Sequence, residues 1–207
     1  MTLAVSSWLG VDVGGRRKGF DVALVDEHRL LRLQSRLDVD AVVSLVEETR
    51  PAVVGIDSPC GCASAGQTAR PGELMLARAV CGIRWTPDEA RVRANGYYAW
   101  VVEGLALYAA LQASNVIEVF PTASWTRWLG PRVGTRGMWT TDGLKRLSLD
   151  GVPARTNQDQ RDAIAAALTA RQHDEGLTES FGEIVVPRAR SAPGDRTAAH
   201  RPATGPA

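Results

Sequence analysis

The sequence predicts an α/β fold in which a sheet of short strands packs against helices. One run, residues 52–56, is apolar at every position, as in a central strand covered on both faces. Longer segments instead place apolar residues at helical spacing. Acidic residues also end several of the apolar runs, and ligand crevices in open α/β sheets lie at such strand ends.

The first third of the chain is predicted to form a meander followed by a helix. The predicted strands cover residues 8–13, 20–25 and 29–33, with a glycine-rich turn at residues 14–18. Asp38 or Asp40 can cap a helix that runs to Glu48 with a valine stripe on one face. Pro51 ends this helix, and the fourth strand follows at residues 52–56.

The middle of the chain is mostly helical in this interpretation. A fifth strand is predicted at residues 116–120 and is stopped by Pro121. Helices are predicted at residues 73–81, 98–113, 123–129, 142–147 and 159–172. The last of them carries alanines on a face that allows close packing.

Length and composition are those of a globular protein. The chain has 207 residues, of which 44% are hydrophobic, and no apolar run reaches eighteen residues, so no membrane contact is predicted. The first seven residues lack the basic segment of a secretory signal. Cys60, Cys62 and Cys81 form no disulfide framework, which favours reduced thiols and a cytoplasmic location.

Charge and composition divide the chain in two. We predict one domain at residues 1–186 and a disordered tail at residues 187–207, which is rich in proline, alanine, arginine and glycine. The tail has four arginines and one aspartate, so the body carries a net charge of −2. That charge is poorly suited to tight, nonspecific binding of duplex nucleic acid, although a local basic groove remains compatible with it.

Acidic residues beside apolar runs carry the main functional prediction. Asp12, Asp57 and Glu118 lie at or near strand ends, and Asp162 lies at the start of the last helix. Buried carboxylates are costly unless compensated, and hard divalent cations prefer carboxylate oxygens, so we predict an Mg²⁺ or Mn²⁺ site. The predicted metal ligands are Asp12, Asp57 and Asp162, with Glu118 assisting and Asp159 as an alternate member. Alternatively, Asp57 and Glu118 only cap turns.

Four basic residues are candidates for binding a phosphate. Arg17 and Lys18 lie in the glycine-rich turn after Asp12, which lacks the spacing of a P-loop and is otherwise an ordinary hairpin turn. Arg70 and Arg84 flank the helix after Asp57. The alternative for them is a structural ion pair with Glu73.

Seven short motifs in a fixed order resemble those of one known family. They are Gly10-Val-Asp12, Arg17-Lys-Gly-Phe20, Ile56-Asp-Ser-Pro59, Arg70-Pro-Gly-Glu73, Cys81-Gly-Ile-Arg84, Glu118-Val-Phe-Pro121 and Asp162-Ala-Ile-Ala-Ala-Ala167. Together, over about residues 8–187, they resemble domain-of-unknown-function family 429, whose members are described as predicted nucleases with an RNase H-like fold. The resemblance implies a mixed five-stranded sheet, three antiparallel strands followed by parallel ones, with helices on both faces. It also implies acids on strand one, at the end of strand four and on the last helix, which Asp12, Asp57 and Asp162 match.

Three functions remain open from the sequence. The first is a divalent-metal-dependent nuclease or related phosphodiester hydrolase that acts on nucleic acid. The second is an actin-like-class phosphotransferase that binds a nucleotide, although the chain is short for that class. The third is a non-catalytic binding protein on the same fold. The oligomeric state is not predicted.

Overall fold

A computed structural model describes residues 6–112 and 114–189, which form a mixed sheet of seven strands. The strand order is β3-β2-β1-β4-β5-β7-β6. The first three strands pair antiparallel, β1, β4, β5 and β7 run parallel to one another, and β6 pairs antiparallel with β7. The strands are β1 (Trp8–Val13), β2 (Phe20–Val25), β3 (Leu30–Leu37), β4 (Val53–Asp57), β5 (Val116–Val119), β6 (Thr178–Phe181) and β7 (Ile184–Pro187).

The five predicted strands are all present, and two further strands extend the sheet. Strands β6 and β7 form a hairpin through Gly182, which adopts a positive φ of 59°. Each has four residues, too few to show a clear alternating pattern in the sequence. Pro187, where we predicted the tail to begin, is the last residue of β7, and the tail from residue 190 lies outside the described residues.

Helices cover both faces of the sheet, as the resemblance implies. The helices are α1 (Val39–Thr49), α2 (Pro71–Ala79), α3 (Glu89–Ala94), α4 (Ala99–Ala110), α5 (Pro121–Leu129), α6 (Arg136–Leu147) and α7 (Gln158–Asp174), with a 3-10 turn at Gly96–Tyr98 before α4. Helices α5, α6 and α7 share one hydrophobic core with the sheet. Helices α1 and α4 share the core on the opposite face.

Two helices differ from their predicted extents for local reasons. Helix α6 begins at Arg136, six residues before the predicted start, because the Thr135 side chain accepts a hydrogen bond from the Met138 amide and caps it. Helix α3 was not predicted from its six residues; its start is capped by Asp88. Helix α1 begins after Asp38, one of its two predicted caps.

Two glycines allow α7 to lie close against the centre of the sheet. A Cβ atom on Gly10 of β1 would lie 2.1 Å from the carbonyl oxygen of Ala163, and one on Gly55 of β4 would lie 2.6 Å from that of Ala166. Side chains alternate between the two faces of a strand, so the residues two positions later face α7 as well. Those residues are Asp12 and Asp57.

Candidate active site

The site lies where the C-terminal ends of β1 and β4 meet the first turns of α7. Asp12 and Asp57 are direct partners in the parallel pairing of these strands. Asp162 lies on the α7 turn above them and is buried. All three side chains line one cavity of about 760 Å³. The structure thus brings together the three acids that we predicted as metal ligands.

Two further aspartates complete the acidic cluster. Asp21 of β2 is the direct partner of Asp12 in the antiparallel pairing and is also buried. Asp12, Asp21 and Asp159 each offer one carboxylate oxygen, and these oxygens lie within 4.8 Å of one another. Asp159, which we considered an alternate member, therefore lies beside Asp12. We call Asp12, Asp21, Asp57, Asp159 and Asp162 the acidic cluster.

Sequence analysis missed Asp21, although the sequence holds the information to find it. Both strands of the first hairpin were predicted with the bounds that the structure has. A direct pairing of those two strands places Asp12 opposite Asp21. Directly opposed residues project to the same face of a sheet, so the hairpin register alone places both carboxylates under α7.

The acidic cluster resists ionisation because it is buried and because its members repel one another. Burial, followed by repulsion from Asp162 and Asp159, raises the pKa of Asp12 to about 8. Burial and the same kind of repulsion, first from Asp12 and then from Asp162, raise the pKa of Asp57 well above its ordinary value. Burial also raises the pKa of Asp21 and Asp162.

Two cations oppose this negative charge. The Lys18 ammonium lies 2.7 Å from a carboxylate oxygen of Asp159, and the Arg136 guanidinium lies 2.8 Å from one of Asp162. Sequence analysis missed Arg136, which reaches the site from the first residue of α6. Five carboxylates against two cations leave an excess of hard oxygen donors, which is the donor set that Mg²⁺ and Mn²⁺ prefer. The residues present therefore fit a divalent metal.

Asp162 is held by three neighbouring side chains. The indole N–H of Trp125 donates to one of its oxygens at 3.3 Å, and the Gln158 amide donates to both at 3.1 Å. Arg136 donates to the second oxygen. These bonds fix the orientation of the carboxylate at the edge of the cavity.

Glu118 lines the cavity but does not join the acidic cluster. It is the β5 partner of Ile56, whose side chain packs in the core on the α1 and α4 face, whereas Asp57 faces α7. Both oxygens of Glu118 accept hydrogen bonds from Arg70, one of them at 2.7 Å, and one also accepts from the Cys60 amide at 2.9 Å. The parity of the strand therefore separates Glu118 from the aspartates.

Arg70 is buried in a structural ion pair with two glutamates. Besides its two bonds to Glu118, its Nε donates to Glu73 at 3.1 Å. Glu73 is fully buried and also accepts from the Thr86 amide. The structure thus places Arg70 in the arrangement that we considered as the alternative to phosphate binding.

The remaining predicted phosphate ligands are exposed around the cavity. Arg17 is exposed on the turn between β1 and β2, next in sequence to Lys18, which lines the cavity; Arg17 itself does not line it. Arg84 also lines the cavity, and its guanidinium packs over the ring of Tyr97 at 5.5 Å from the ring centroid.

The metal-free protein is expected to lose stability as the pH rises from about 4 to about 8. In this range the folded state holds the Asp12 proton, whose pKa is about 8, while the unfolded state releases it near the ordinary value of 3.8. Because the folded state binds more protons, the free energy of unfolding falls with rising pH. We expect Tm in EDTA to fall by roughly 5 °C or more between pH 5 and pH 8.

This pH effect is checked by thermal denaturation with and without 10 mM MgCl₂. Magnesium is expected to restore Tm most strongly near pH 8, where the cluster is ionised. The variant Asp12→Asn should show a flatter pH profile in EDTA. A wild-type Tm that rises with pH in EDTA would contradict the assignment of raised pKa values.

Comparisons with known proteins bear on the family and the fold. A family model described as "Protein of unknown function (DUF429)" matches residues 10–185. No curated protein matches the chain. Among solved structures, Thermus thermophilus RuvC in complex with a Holliday junction substrate is similar at 16% identity and a TM-score of 0.51, over 83% of this chain and 96% of that chain. A second structure of Thermus thermophilus RuvC is 14% identical over 82% and 96% of the two chains, with a TM-score of 0.49.

The likeness to the RuvC complex and the observed topology together establish an α/β fold of the RNase H-like type. The mixed sheet begins with three antiparallel strands and continues with parallel ones, as the sequence resemblance implies. Within residues 6–112 and 114–189, no helix combines the length and the apolar character needed to cross a membrane.

Proposed function

The chain belongs to the DUF429 family of proteins of unknown function, and on that premise we propose that it is a divalent-metal-dependent nuclease. One observation carries this proposal: five clustered aspartates, three of them buried, share one end of an RNase H-like sheet, and among the described residues two cations form ion pairs with them. Such an excess of negative charge is costly without a bound cation. The RuvC complex, a similar fold, holds a nucleic acid, which supports this substrate class here.

The acidic cluster offers two adjoining sets of ligands for Mg²⁺ or Mn²⁺. Asp12, Asp57 and Asp162 would form one set, and Asp12, Asp21 and Asp159 would form the other, with Asp12 common to both. Held by these carboxylates, a divalent ion would supply the chemistry of phosphodiester hydrolysis, namely activation of a water and stabilisation of the leaving oxygen.

The protein's own residues would bind and orient the substrate. Lys18 lines the cavity and Arg17 precedes it on the same exposed turn, and both would attract the phosphates that flank the scissile bond. Arg136 holds Asp162 and, being partly exposed, can also face a phosphate oxygen. Glu118 would act as a positioning residue, because it anchors the amide of Cys60 in the loop that leaves Asp57.

The nucleotide-binding alternative has less support from the turn after Asp12. The amides of Lys18 and Gly19 both donate to the Gly15 carbonyl, at 2.7 and 3.1 Å. These two donors are thus used within the turn rather than directed at a phosphate. The basic side chains of the turn favour binding of a phosphate backbone.

The proposal is tested with a panel of labelled substrates under matched metal conditions. Single-stranded DNA, duplex DNA, single-stranded RNA, an RNA–DNA hybrid and a branched DNA are incubated with Mg²⁺, with Mn²⁺ or with EDTA. We expect cleavage of at least one form with a divalent metal and none in EDTA. Absence of cleavage of every form in both metals would refute a nuclease, and ATP binding in calorimetry would then favour a phosphotransferase.

A further inference from the structure

A second cavity, of about 610 Å³, adjoins the acidic one and is lined by aromatic and basic side chains. Ile83 and Arg84 line both cavities, so the two cavities are neighbours at this point. Trp85 and Tyr97 in the second cavity are 50% and 51% exposed, which is unusual for large aromatic residues. We call the surface formed by Arg84, Trp85, Arg91 and Tyr97 the aromatic shelf.

The loop that presents Trp85 is anchored on its inner side. The amide of Thr86 donates to the buried Glu73, and the carbonyl of Pro87 accepts from the Ala63 amide at 3.1 Å. The next amide, that of Asp88, donates to the Gln67 carbonyl. Trp85 is therefore held outward by a fixed backbone, which lowers the entropy lost when a ligand packs on it.

Tyr97 is also held in place from two sides. The Asn95 side chain accepts from its amide at 3.0 Å, and the ring of Tyr98 packs against its ring edge to face, with the centroids 5.0 Å apart. Arg84 lies over one face of the Tyr97 ring and donates to its hydroxyl, while the side chain stays 51% exposed. The rings of Trp85 and Tyr97 and the planar guanidinium of Arg84 thus form a fixed surface beside the acidic cavity.

The positive charge of the aromatic shelf indicates that its ligand is negatively charged. The described lining of this cavity contains two arginines, Arg84 and Arg91, and no carboxylate. Exposed aromatic faces next to guanidinium groups suit a ligand that alternates flat π surfaces with phosphates. The half-buried Trp100 lines the acidic cavity itself, so that cavity also holds an aromatic side chain.

We propose that the aromatic shelf binds unpaired bases of a nucleic-acid strand whose phosphodiester lies at the acidic cluster. This inference rests on the proposed nuclease function and gives its substrate class: strands with unpaired bases next to the scissile bond. Bases in an intact duplex have both faces covered by their neighbours, so they cannot stack on Trp85 or Tyr97 without being unstacked first.

The test measures strand binding separately from cleavage. Fluorescence anisotropy compares a labelled single-stranded oligonucleotide with a blunt duplex of the same sequence, in 5 mM MgCl₂ and in the Asp12→Asn background so that the strand is not consumed. The shelf variants are Trp85→Ala and Tyr97→Ala, and Trp85→Phe retains a stacking face. Leu177→Ala is the control, since Leu177 is 52% exposed and lines neither cavity.

We expect the single strand to bind more tightly than the duplex. Each alanine variant should raise Kd for the single strand about 5- to 150-fold, the range for loss of one base stack, while Trp85→Phe keeps most of the affinity. Duplex binding and the Leu177→Ala variant should be unchanged, and all variants should unfold at the temperature of their parent.

Three results would overturn the inference: no binding of either oligonucleotide, equal or tighter binding of the duplex, or unchanged affinity in both alanine variants. No binding would assign the shelf to another kind of partner, such as a protein. If the otherwise unmodified protein cleaves nucleic acid but the shelf variants bind normally, the nuclease stands and the shelf proposal fails. If the shelf binds as expected but no substrate is cleaved with metal, the nuclease proposal fails instead.

Discussion

Replacing Asp12 by asparagine is expected to abolish metal-dependent cleavage while preserving the fold. Asp12 belongs to both ligand sets of the acidic cluster, so its loss removes an oxygen donor from each of them. We expect kcat/KM to fall by about a thousandfold or more, as for removal of a group that acts directly on the reaction. Substrate affinity should change far less, since Lys18 and Arg136, the basic residues beside the acidic cluster, are left intact.

The same substitution is expected to stabilise the metal-free protein at pH 8. Burial and neighbouring carboxylates raise the pKa of Asp12 to about 8, so a neutral amide relieves a cost that the folded state bears at that pH. Thermal denaturation in EDTA measures this gain, and calorimetric titration with Mn²⁺ measures the expected loss of metal affinity. A variant that keeps wild-type cleavage, or one that unfolds at lower temperature than wild type in EDTA, would contradict this account.

A matched control separates the role of Asp12 from a general effect of charge. Asp142 lies on α6 with an exposed side chain that is 3.6 Å from the Lys145 ammonium. Asp142→Asn makes the same chemical change outside the acidic cluster. It should leave cleavage, metal affinity and the pH profile of Tm unchanged.

The convergence of Asp12, Asp57 and Asp162 could be predicted from the sequence because their positions depend on local pattern. Asp12 and Asp57 end apolar strands, and each follows a glycine by two residues, so one sheet face bears both the closely packed helix and the acids. Asp162 begins the alanine-rich segment that packs there. These positions follow from the alternation of side chains along a strand and the spacing of residues along a helix, and both patterns can be read from the sequence.

The features that sequence analysis missed depend on contacts between distant segments. Arg136 reaches Asp162 across 26 positions of the chain, from a helix start that was predicted six residues too late. The β6–β7 hairpin was missed because each strand has too few residues to show an alternating pattern, and β7 is held in the sheet by pairing with the distant strand β5. The partner of Glu118 was likewise hidden, because Arg70 lies 48 positions earlier.

The buried ion pair of Arg70 gives the largest expected effect on stability. Arg70→Met keeps a long apolar side chain but leaves Glu118 and Glu73 buried without their cation. Removing one partner of a buried pair costs about 3–5 kcal/mol, because the remaining charge is not solvated. For a protein of this size we expect Tm to fall by roughly 10 °C.

Chemical denaturation of Arg70→Met checks this value, with Arg146→Met as the control. Arg146 is exposed on α6, so its substitution should leave the free energy of unfolding nearly unchanged.

Glu118→Gln should also destabilise the protein, because Arg70 then loses one of its two anionic partners. Arg70→Met is expected to retain cleavage per folded molecule below its Tm, since Arg70 is buried against the glutamates and donates to neither Asp12 nor Asp57. If Arg70→Met were as stable as wild type but failed to cleave, the arginine would act on the substrate, as its position beside the predicted phosphate ligands first indicated. The comparison therefore decides whether the Arg70–Glu118 pair supports the cavity wall or takes part in the reaction.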